Sequence, residues 1–330
     1  MSIILMGGDF SQFSGSYGYT TSVNYYNTAY SKWAVGPTRS SPPTAAFIGG
    51  ATPSEWWLHC VYSLDDGYYA DYNIITFRAS GADIYALRTI TTNNTMVLAI
   101  YNGSSWDVIP ETTFTTVDDT PYVFDIHFAP DGTTGVVEMF VNGALVGSVT
   151  GNYIAAAGAT IDEVRFSSHY LNDSRRCWLS EVIMTDGDNT LGWHVSTLMP
   201  VGVGTTGDWT GAYTDIDEAG AVNTADYIES DTDTNLSIFE FGDLHTSLDS
   251  DLVKTVFLYA NVEKITGSAV TNIDLVTRPA STNYTGGNSG ALTDDTPTDT
   301  HAEFSTNPET ASAWTLSAVN SAEFGFRANT

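Results

Sequence analysis

The feature that most constrains this chain is the way its apolar residues are grouped. Apolar, β-branched and aromatic residues come in short runs, and clusters of Gly, Asn, Asp and Ser separate these runs. Apolar residues spaced three and four apart, as on one face of a helix, are almost absent from the sequence. Short β-type runs between turn residues are typical of sandwiches and barrels. We therefore predict an all-β protein: a concanavalin A-like jelly-roll sandwich followed by a smaller β-sandwich domain.

The clearest strand covers Tyr122–Phe128, where every second residue is aromatic or Ile. Side chains alternate between the two faces of a strand, so Asp125 and His127 are predicted to point away from the apolar face. A hairpin is predicted just downstream, because two β-rich runs flank Asn142-Gly143. An Asn-Gly pair accepts the positive φ angles of a type I′ turn.

A change in composition predicts the domain boundary. Residues 198–213 are rich in Gly, contain a Pro and show no usable period, which favours a linker. The sequence thus predicts a jelly roll over residues 1–197, a linker over 198–213 and a C-terminal β-sandwich over 214–330. Within the second domain, the polar stretch 280–300 is predicted to be a long loop.

The charge excludes several classes of partner. The chain has 11 Lys and Arg against 39 Asp and Glu, a formal charge of −28. Such a surface repels phosphate backbones, so nucleic-acid binding is not expected. The apolar runs fall short of the roughly 18 residues of a membrane span. The N-terminus has no basic region before its short apolar run, so we expect no secretory signal and synthesis in a cytoplasm.

The cysteines and histidines predict no cofactor. Cys60 and Cys177 fit neither a metal spacing nor a disulfide framework, so both are predicted to be buried thiols. The six histidines form no i,i+4 pair, which argues against zinc. Calcium remains open, because hard cations collect carboxylate and carbonyl oxygens. The best loop for a calcium ion holds Asp186, Asp188 and Asn189.

The sequence gives little support to catalysis. Glycosidases need a pair of carboxylates at a set separation. The nearest match is Asp215-Ile-Asp217, which would share one face if it lay in a strand. It lies just past the predicted linker and lacks the surrounding motif of jelly-roll hydrolases. We therefore predict that the protein is not an enzyme, with a polysaccharide hydrolase as a remote alternative.

Aromatic side chains near loops are candidates for carbohydrate binding, because their ring faces can stack on the CH surfaces of sugars. The same residue types also fill sandwich cores. The candidates are Trp33, Trp56, Trp57, Tyr68, Tyr69 and Trp106.

Several short motifs follow one another along the chain. They are Lys32-Trp33, Val141-Asn-Gly143, Ile161-Asp-Glu-Val164, the run from Leu179 to Gly192, Leu198-Met-Pro200-Val-Gly202-Val-Gly204, Gly207-Asp208-Trp209 and Ala313-Trp314-Thr315. This series resembles the laminin G-like, concanavalin A-like jelly roll found in virion structural proteins of tailed bacteriophages. The resemblance spans nearly the whole chain and carries over no catalytic residue.

The resemblance implies a virion protein displayed on the capsid or tail as decoration, fibre or adhesin. Its expected partners are other virion proteins and further copies of itself, with a host surface glycan as a possible ligand. The alternative is a carbohydrate-binding module that recognises host glycans. Neither membrane insertion nor nucleic-acid binding is expected.

Overall fold

The computed structural model describes residues 3–7, 17–20, 34–37, 44–46, 55–64, 71–90, 94–129, 135–151, 161–166, 177–217, 225–245 and 253–330, with the strands before residue 50 described through their backbone. The chain divides into two compact units, residues 1–197 and residues 198–330. The described residues are nearly all strands and turns, which confirms the all-β prediction. Among them, no helix has the length and apolar character needed to cross a membrane.

Two antiparallel sheets build unit 1. The strands of unit 1 are β1 (Ile3–Gly7), β2 (Tyr17–Thr20), β3 (Ala34–Pro37), β4 (Thr44–Ala46), β5 (Trp56–Leu64), β6 (Tyr72–Ala79), β7 (Ala82–Ile90), β8 (Thr95–Tyr101), β9 (Trp106–Val108), β10 (Phe114–Thr115), β11 (Tyr122–Ala129), β12 (Gly135–Val141), β13 (Ala144–Gly151), β14 (Glu163–Phe166) and β15 (Cys177–Asp186). The eight-stranded sheet has the order β13-β12-β11-β5-β15-β3-β2, with β1 also paired to β15. The seven-stranded sheet has the order β10-β8-β7-β6-β14-β4, with β9 paired to β8.

An aromatic core lies between these two sheets. Trp56 of β5 packs on Phe77 of β6 and on Phe128 of β11, with ring centroids 4.6 and 4.2 Å apart. Phe124, Ile126 and Phe128 are at most 1% exposed, so the predicted apolar face of β11 is confirmed. Because side chains alternate along a strand, Asp125 and the other odd-numbered residues of β11 lie on the outer face of the eight-stranded sheet.

The predicted hairpin is confirmed. β12 and β13 pair with Val141 opposite Ala144. Between them, Asn142 and Gly143 have φ angles of 50° and 77°. Both values lie in the left-handed region that a type I′ turn requires, where Asn and Gly are the residues with the lowest strain.

Unit 2 contains a five-stranded and a two-stranded antiparallel sheet. Its strands are β16 (Pro200–Gly207), β17 (Leu236–Phe241), β18 (Val256–Val262), β19 (Asn272–Arg278), β20 (Tyr284–Asn288), β21 (Thr298–Phe304) and β22 (Glu323–Asn329). The larger sheet has the order β16-β17-β22-β19-β20, and β18 pairs with β21. A short helix, α1 (Leu316–Asn320), precedes β22. Trp314 is fully buried in the core of this unit, and its indole N–H donates to the carbonyl of Phe304 at 2.8 Å.

Two predictions for this unit were wrong. Residues 200–207 belong to strand β16 and not to a linker, and residues 284–288 of the predicted loop form β20. Both segments look like loops in the sequence because they are rich in glycine, and these glycines are needed where a neighbouring strand packs closely against the backbone. A Cβ on Gly204 would lie 2.6 Å from the carbonyl oxygen of Ile238, and one on Gly286 would lie 2.2 Å from the ring of Phe304. These positions need glycine because of a neighbour in space, which gives the segment a loop-like composition.

Candidate functional site

A buried polar cluster lies on the outer face of the eight-stranded sheet. His59 of β5 and Asp125 of β11 are directly opposite each other in the strand pairing. His59 Nδ1 lies 2.9 Å from Asp125 Oδ1. The hydroxyl of Thr190, in the segment that follows β15, donates to the same oxygen at 2.8 Å. His59, Asp125 and Thr190 are at most 1% exposed, so this segment and the two strands enclose the contact.

Glu181 and His194 extend this cluster. The pairing of β15 with β5 shifts register between Ser180 and Ile183, and Glu181 in this bulge has a φ of 54°. A bulge of this kind redirects a side chain, and strained residues recur at functional sites. Glu181 is fully buried, and its Oε2 lies 3.0 Å from Nδ1 of His194. The rings of His59 and His194 meet edge to face at 6.0 Å.

Sequence patterns did not predict this grouping. One potential ligand atom from each of His59, Glu181 and His194 lies within 4.8 Å of the other two. Among the residues that the structure describes, no other group of three or more His, Cys, Asp or Glu side chains comes close enough together to hold a metal ion. The prediction against zinc was based only on the spacing of the histidines along the sequence. The three residues come from β5, from a bulge in β15 and from the segment after it, so pairing of distant strands brings them together.

Within the described part of the chain, two atoms of the cluster have no hydrogen-bond partner. Nε2 of His59 and Oδ2 of Asp125 are buried and make no hydrogen bond among the described residues. A buried polar atom without a partner costs about 1–3 kcal/mol. A bound water or ion is one of the arrangements that would satisfy such atoms.

A second histidine on the same outer face is held by carboxylates. His127 Nδ1 lies 2.9 Å from Glu138 Oε2, and its Nε2 lies 3.0 Å from Glu55 Oε1. The ring of Trp57 stacks on His127 with centroids 4.4 Å apart and planes 10° apart. Trp57, a predicted sugar contact, is 5% exposed. One face of its ring is therefore occupied by His127, and little of the indole reaches solvent.

Trp106 is the predicted aromatic that combines exposure with polar neighbours. It lies in β9 at the margin of the seven-stranded sheet and is partly exposed. The ring of Tyr101 packs against it at 5.2 Å, and the guanidinium carbon of Arg88 lies 5.6 Å from its centroid. Asp71, whose side chain is 76% exposed, lies 3.9 Å from Nη2 of Arg88. We call Trp106, Tyr101, Arg88 and Asp71 the Trp106 platform.

Arg88 gives the Trp106 platform its charge. It is 7% exposed, and its Nε makes no hydrogen bond among the described residues. Burial lowers the pKa of Arg88, and the nearby Asp71 opposes that shift. A guanidinium remains charged in proteins even so. The platform therefore presents a partly exposed indole with a cation 5.6 Å from its ring centroid.

The remaining predicted aromatics divide into two groups. Trp56 is fully buried between the sheets, so its prediction as a sugar contact was wrong: strand alternation points its ring into the core. Trp33, Tyr68 and Tyr69 lie outside the residues whose side chains the structure describes.

The predicted calcium loop is a turn at the end of β15. Asp186 and Asn189 are exposed, and Asp188 is half-buried. The Asn189 side-chain oxygen accepts the N–H of Leu191 at 2.8 Å, and the Asp188 carbonyl accepts the hydroxyl of Thr185. These bonds use two of the oxygens that a calcium ion would need, and calcium binding here stays a prediction.

The acidic pair considered for hydrolysis lies in unit 2, outside any strand. Asp215 ends a single 3-10 turn, Tyr213–Asp215, and its Oδ2 accepts the N–H of Ala212 at 2.7 Å. The pair therefore lies in a turn, and the condition for a shared strand face is not met. Asp226 approaches the pair from another segment. Burial raises its pKa, and so do the charges of Asp215 and Asp217 and a hydrogen bond with Asp215.

Comparisons with known proteins return distant structures. No family model matches the chain, and no curated protein matches it. The solved structures that are similar include a cellulose-induced protein, Cip1, at 14% identity and a TM-score of 0.40, covering 56% of this chain and 91% of that one. Domain 4 of an extracellular arabinanase from Geobacillus stearothermophilus, in complex with arabinotriose, is 12% identical with a TM-score of 0.38, covering 57% and 83%. A galectin from Caenorhabditis elegans is 14% identical with a TM-score of 0.28, covering 43% and 89%.

Proposed function

We propose that this protein is a carbohydrate-binding β-sandwich protein that binds its ligand on the Trp106 platform. The observation that carries the proposal is the partly exposed indole of Trp106 with the charged guanidinium of Arg88 over its ring, 5.6 Å from the centroid. Sugar recognition needs this combination, because the CH face of a pyranose is apolar and its hydroxyls need polar partners. Small-molecule sites generally pair aromatic surface with a few oriented polar groups.

Each member of the platform has a role in this proposal. The indole of Trp106 supplies the stacking face, and Tyr101 packs against it at 5.2 Å. Arg88 donates to ring or hydroxyl oxygens from Nη2, which lies 3.9 Å from Oδ1 of the exposed Asp71; its buried Nε takes no part. The exposed carboxylate of Asp71 accepts hydrogen bonds from hydroxyls.

The platform suits binding and not bond cleavage. Its other nearby carboxylate, Asp107, accepts two hydrogen bonds from Nδ2 of Asn102 at 3.0 and 3.1 Å. That leaves Asp71 as the carboxylate beside Arg88, whereas glycoside hydrolysis uses a pair. We propose that the protein does not cleave its ligand, so incubation with a bound polysaccharide should release no reducing ends.

The experiment is a glycan array followed by isothermal titration with the best ligand. Trp106→Ala should weaken binding at least about tenfold, equivalent to about 1.4 kcal/mol. Trp106→Phe should retain most of the affinity because it keeps an aromatic face. Arg88→Met, which preserves the stem and removes the donors, should also weaken binding, because hydrogen bonds to charged groups contribute about 1.5–3 kcal/mol.

Val117→Ser is the matched control, because Val117 is 62% exposed in the same unit and lies outside the platform. It should bind like the wild-type chain. If no glycan binds, or if Trp106→Ala binds as tightly as the wild type, the proposal is wrong.

A second candidate function is assembly into a virion, as the resemblance to tailed-phage structural proteins implies. The observation that favours it is the edge strand β16, where Val201 and Val203 are 55% and 63% exposed. An edge strand with apolar side chains is a surface on which another chain can add. In this role the protein associates with copies of itself or with other virion proteins on the capsid or tail.

Light scattering on the purified chain tests this second candidate. Val201→Lys combined with Val203→Lys should reduce self-association, whereas Tyr227→Lys, at a residue 55% exposed elsewhere in unit 2, should not. Mass spectrometry of purified phage particles should find the chain in many copies. A monomeric wild-type chain that is missing from particles would exclude the virion role.

A further inference from the structure

We propose that His59, Glu181 and His194 bind a divalent transition-metal ion, with Zn²⁺ as the preferred ion. Two imidazoles and one carboxylate form a ligand set that zinc accepts in proteins, with a fourth position left for water. Hard ions such as calcium prefer sites made of oxygen ligands, so the two nitrogen donors favour a transition metal.

The spacing of the ligand atoms fits a zinc ion. Bond lengths of about 2.0–2.1 Å in a tetrahedron place neighbouring ligand atoms about 3.3 Å apart. Here one potential ligand atom of each residue lies within 4.8 Å of the other two. Glu181 Oε2 and Nδ1 of His194 are in hydrogen-bond contact at 3.0 Å, and metal binding would replace that hydrogen bond. Side-chain movements of about 1–1.5 Å would therefore complete the coordination shell without rearranging the strands.

The unpartnered nitrogen of His59 is the independent observation that points to a ligand. His59 is fully buried, and its Nδ1 is held by Asp125 at 2.9 Å, so Nε2 is the atom available for coordination. If His59 is neutral, Nε2 is a buried acceptor without a donor. If it is charged, Nε2 is a buried donor without an acceptor. A metal ion satisfies the neutral form directly.

Asp125 then acts as a positioning residue. Metal-bound histidines almost always donate their second ring N–H to a carboxylate or carbonyl, which fixes the tautomer and the direction of the ring. The bond from His59 to Asp125 has this arrangement, and the hydroxyl of Thr190 holds the same carboxylate oxygen at 2.8 Å. Loss of such an outer partner typically lowers metal affinity about 10–100-fold.

Charge balance favours a divalent ion. Asp125 and Glu181 are 1% and 0% exposed, so two carboxylates lie in one enclosed region. Buried charges are stable only when they are paired or bound to a metal. Each carboxylate contacts one histidine, Asp125 with His59 and Glu181 with His194, and a divalent ion would add positive charge beside both pairs. The ion also links strands β5 and β15 to the segment that follows β15.

The test uses the full-length chain. The protein is stripped with a chelator, and Zn²⁺ is then titrated in competition with a chromophoric chelator. Co²⁺ is used in parallel, because its visible absorption reports coordination number. We expect one equivalent of metal per chain and a cobalt spectrum typical of four or five ligands. His194→Gln should weaken Zn²⁺ binding by more than about 100-fold, and Asp125→Asn by about 10–100-fold with the cobalt spectrum retained.

His127→Gln is the matched control, since it changes a histidine on the same outer face that contacts Glu55 and Glu138. It should bind zinc like the wild type. The proposal is overturned if the wild-type chain binds neither ion stoichiometrically, or if His194→Gln binds as tightly as His127→Gln. The cobalt spectrum of the wild type decides the matter even if a variant fails to fold.

Discussion

Removing the Asp125 carboxylate should destabilise unit 1 more than any conservative change on the outer face of its eight-stranded sheet. Asp125 Oδ1 contacts Nδ1 of His59 at 2.9 Å and the hydroxyl of Thr190 at 2.8 Å. Both partners are fully buried, so Asp125→Ala leaves two polar groups without an acceptor. At about 1–3 kcal/mol for each group, the expected loss is about 2–6 kcal/mol. Domains are typically stable by about 5–15 kcal/mol, so the effect would be a large fraction of the total.

Asp125→Asn isolates the cause. It keeps the oxygen that accepts both hydrogen bonds but replaces the buried Oδ2 with an amide NH2. One buried polar group then lacks a partner where alanine leaves two, so we expect a loss of about 1–3 kcal/mol, smaller than for alanine. Both variants are compared in chelator-treated protein, so that the hydrogen bonds are measured without any metal contribution.

The assay is native-state hydrogen exchange of the full-length chain, because the two units need not unfold together. Protection in β5 and β11 should fall about tenfold for each 1.4 kcal/mol, while β22 in unit 2 serves as the internal reference. An alanine variant whose protection drops less than about threefold, or one that matches the asparagine variant, would refute the reasoning.

Three further predictions concern single residues. Gly325→Ala should destabilise unit 2 by about 3 kcal/mol or more, because its Cβ would lie 1.9 Å from the carbonyl oxygen of Ser237; Gly207→Ala, with no atom closer than 3.9 Å, should leave the urea midpoint unchanged. The raised pKa of Asp226 means that the folded chain binds this proton more tightly than the unfolded chain does. Stability should therefore decline as pH rises through that raised value, and a urea series from about pH 4 to 7 should find the decline missing in Asp226→Asn. Burial raises the pKa of the Cys60 thiol, so peptide mass spectrometry should find it alkylated only after unfolding.

Local sequence patterns predicted several parts of the fold. Alternation along residues 122–128 placed Phe124 and Phe128 in the core and Asp125 on the opposite face, as observed. The Asn142-Gly143 hairpin could also be predicted from sequence, because the positive φ angles at both residues are a local requirement of the turn. These features depend on neighbours along the chain, so the sequence carries them in a short window.

Local sequence patterns could not predict which individual aromatic side chains are buried. Trp56 and Trp106 look alike as candidates, yet the former is fully buried and the latter is partly exposed. The difference arises from the sheet to which each strand is paired and from what covers it. The glycines of β16 are a similar case, because contact with Ile238 of another strand, and not a turn, requires Gly204.

The sequence by itself determined the class of structure, since a period of two and frequent turn residues favour strands over long helices. It also determined that an aromatic core would form and that Asp125 would face outward. Only the tertiary structure brought His59, Glu181 and His194 within 4.8 Å of one another. Strand β5 pairs with β11 on one side and β15 on the other, and a bulge then redirects Glu181. Such long-range pairing depends on cooperative packing of the whole unit, so spacing along the chain could not reveal the cluster.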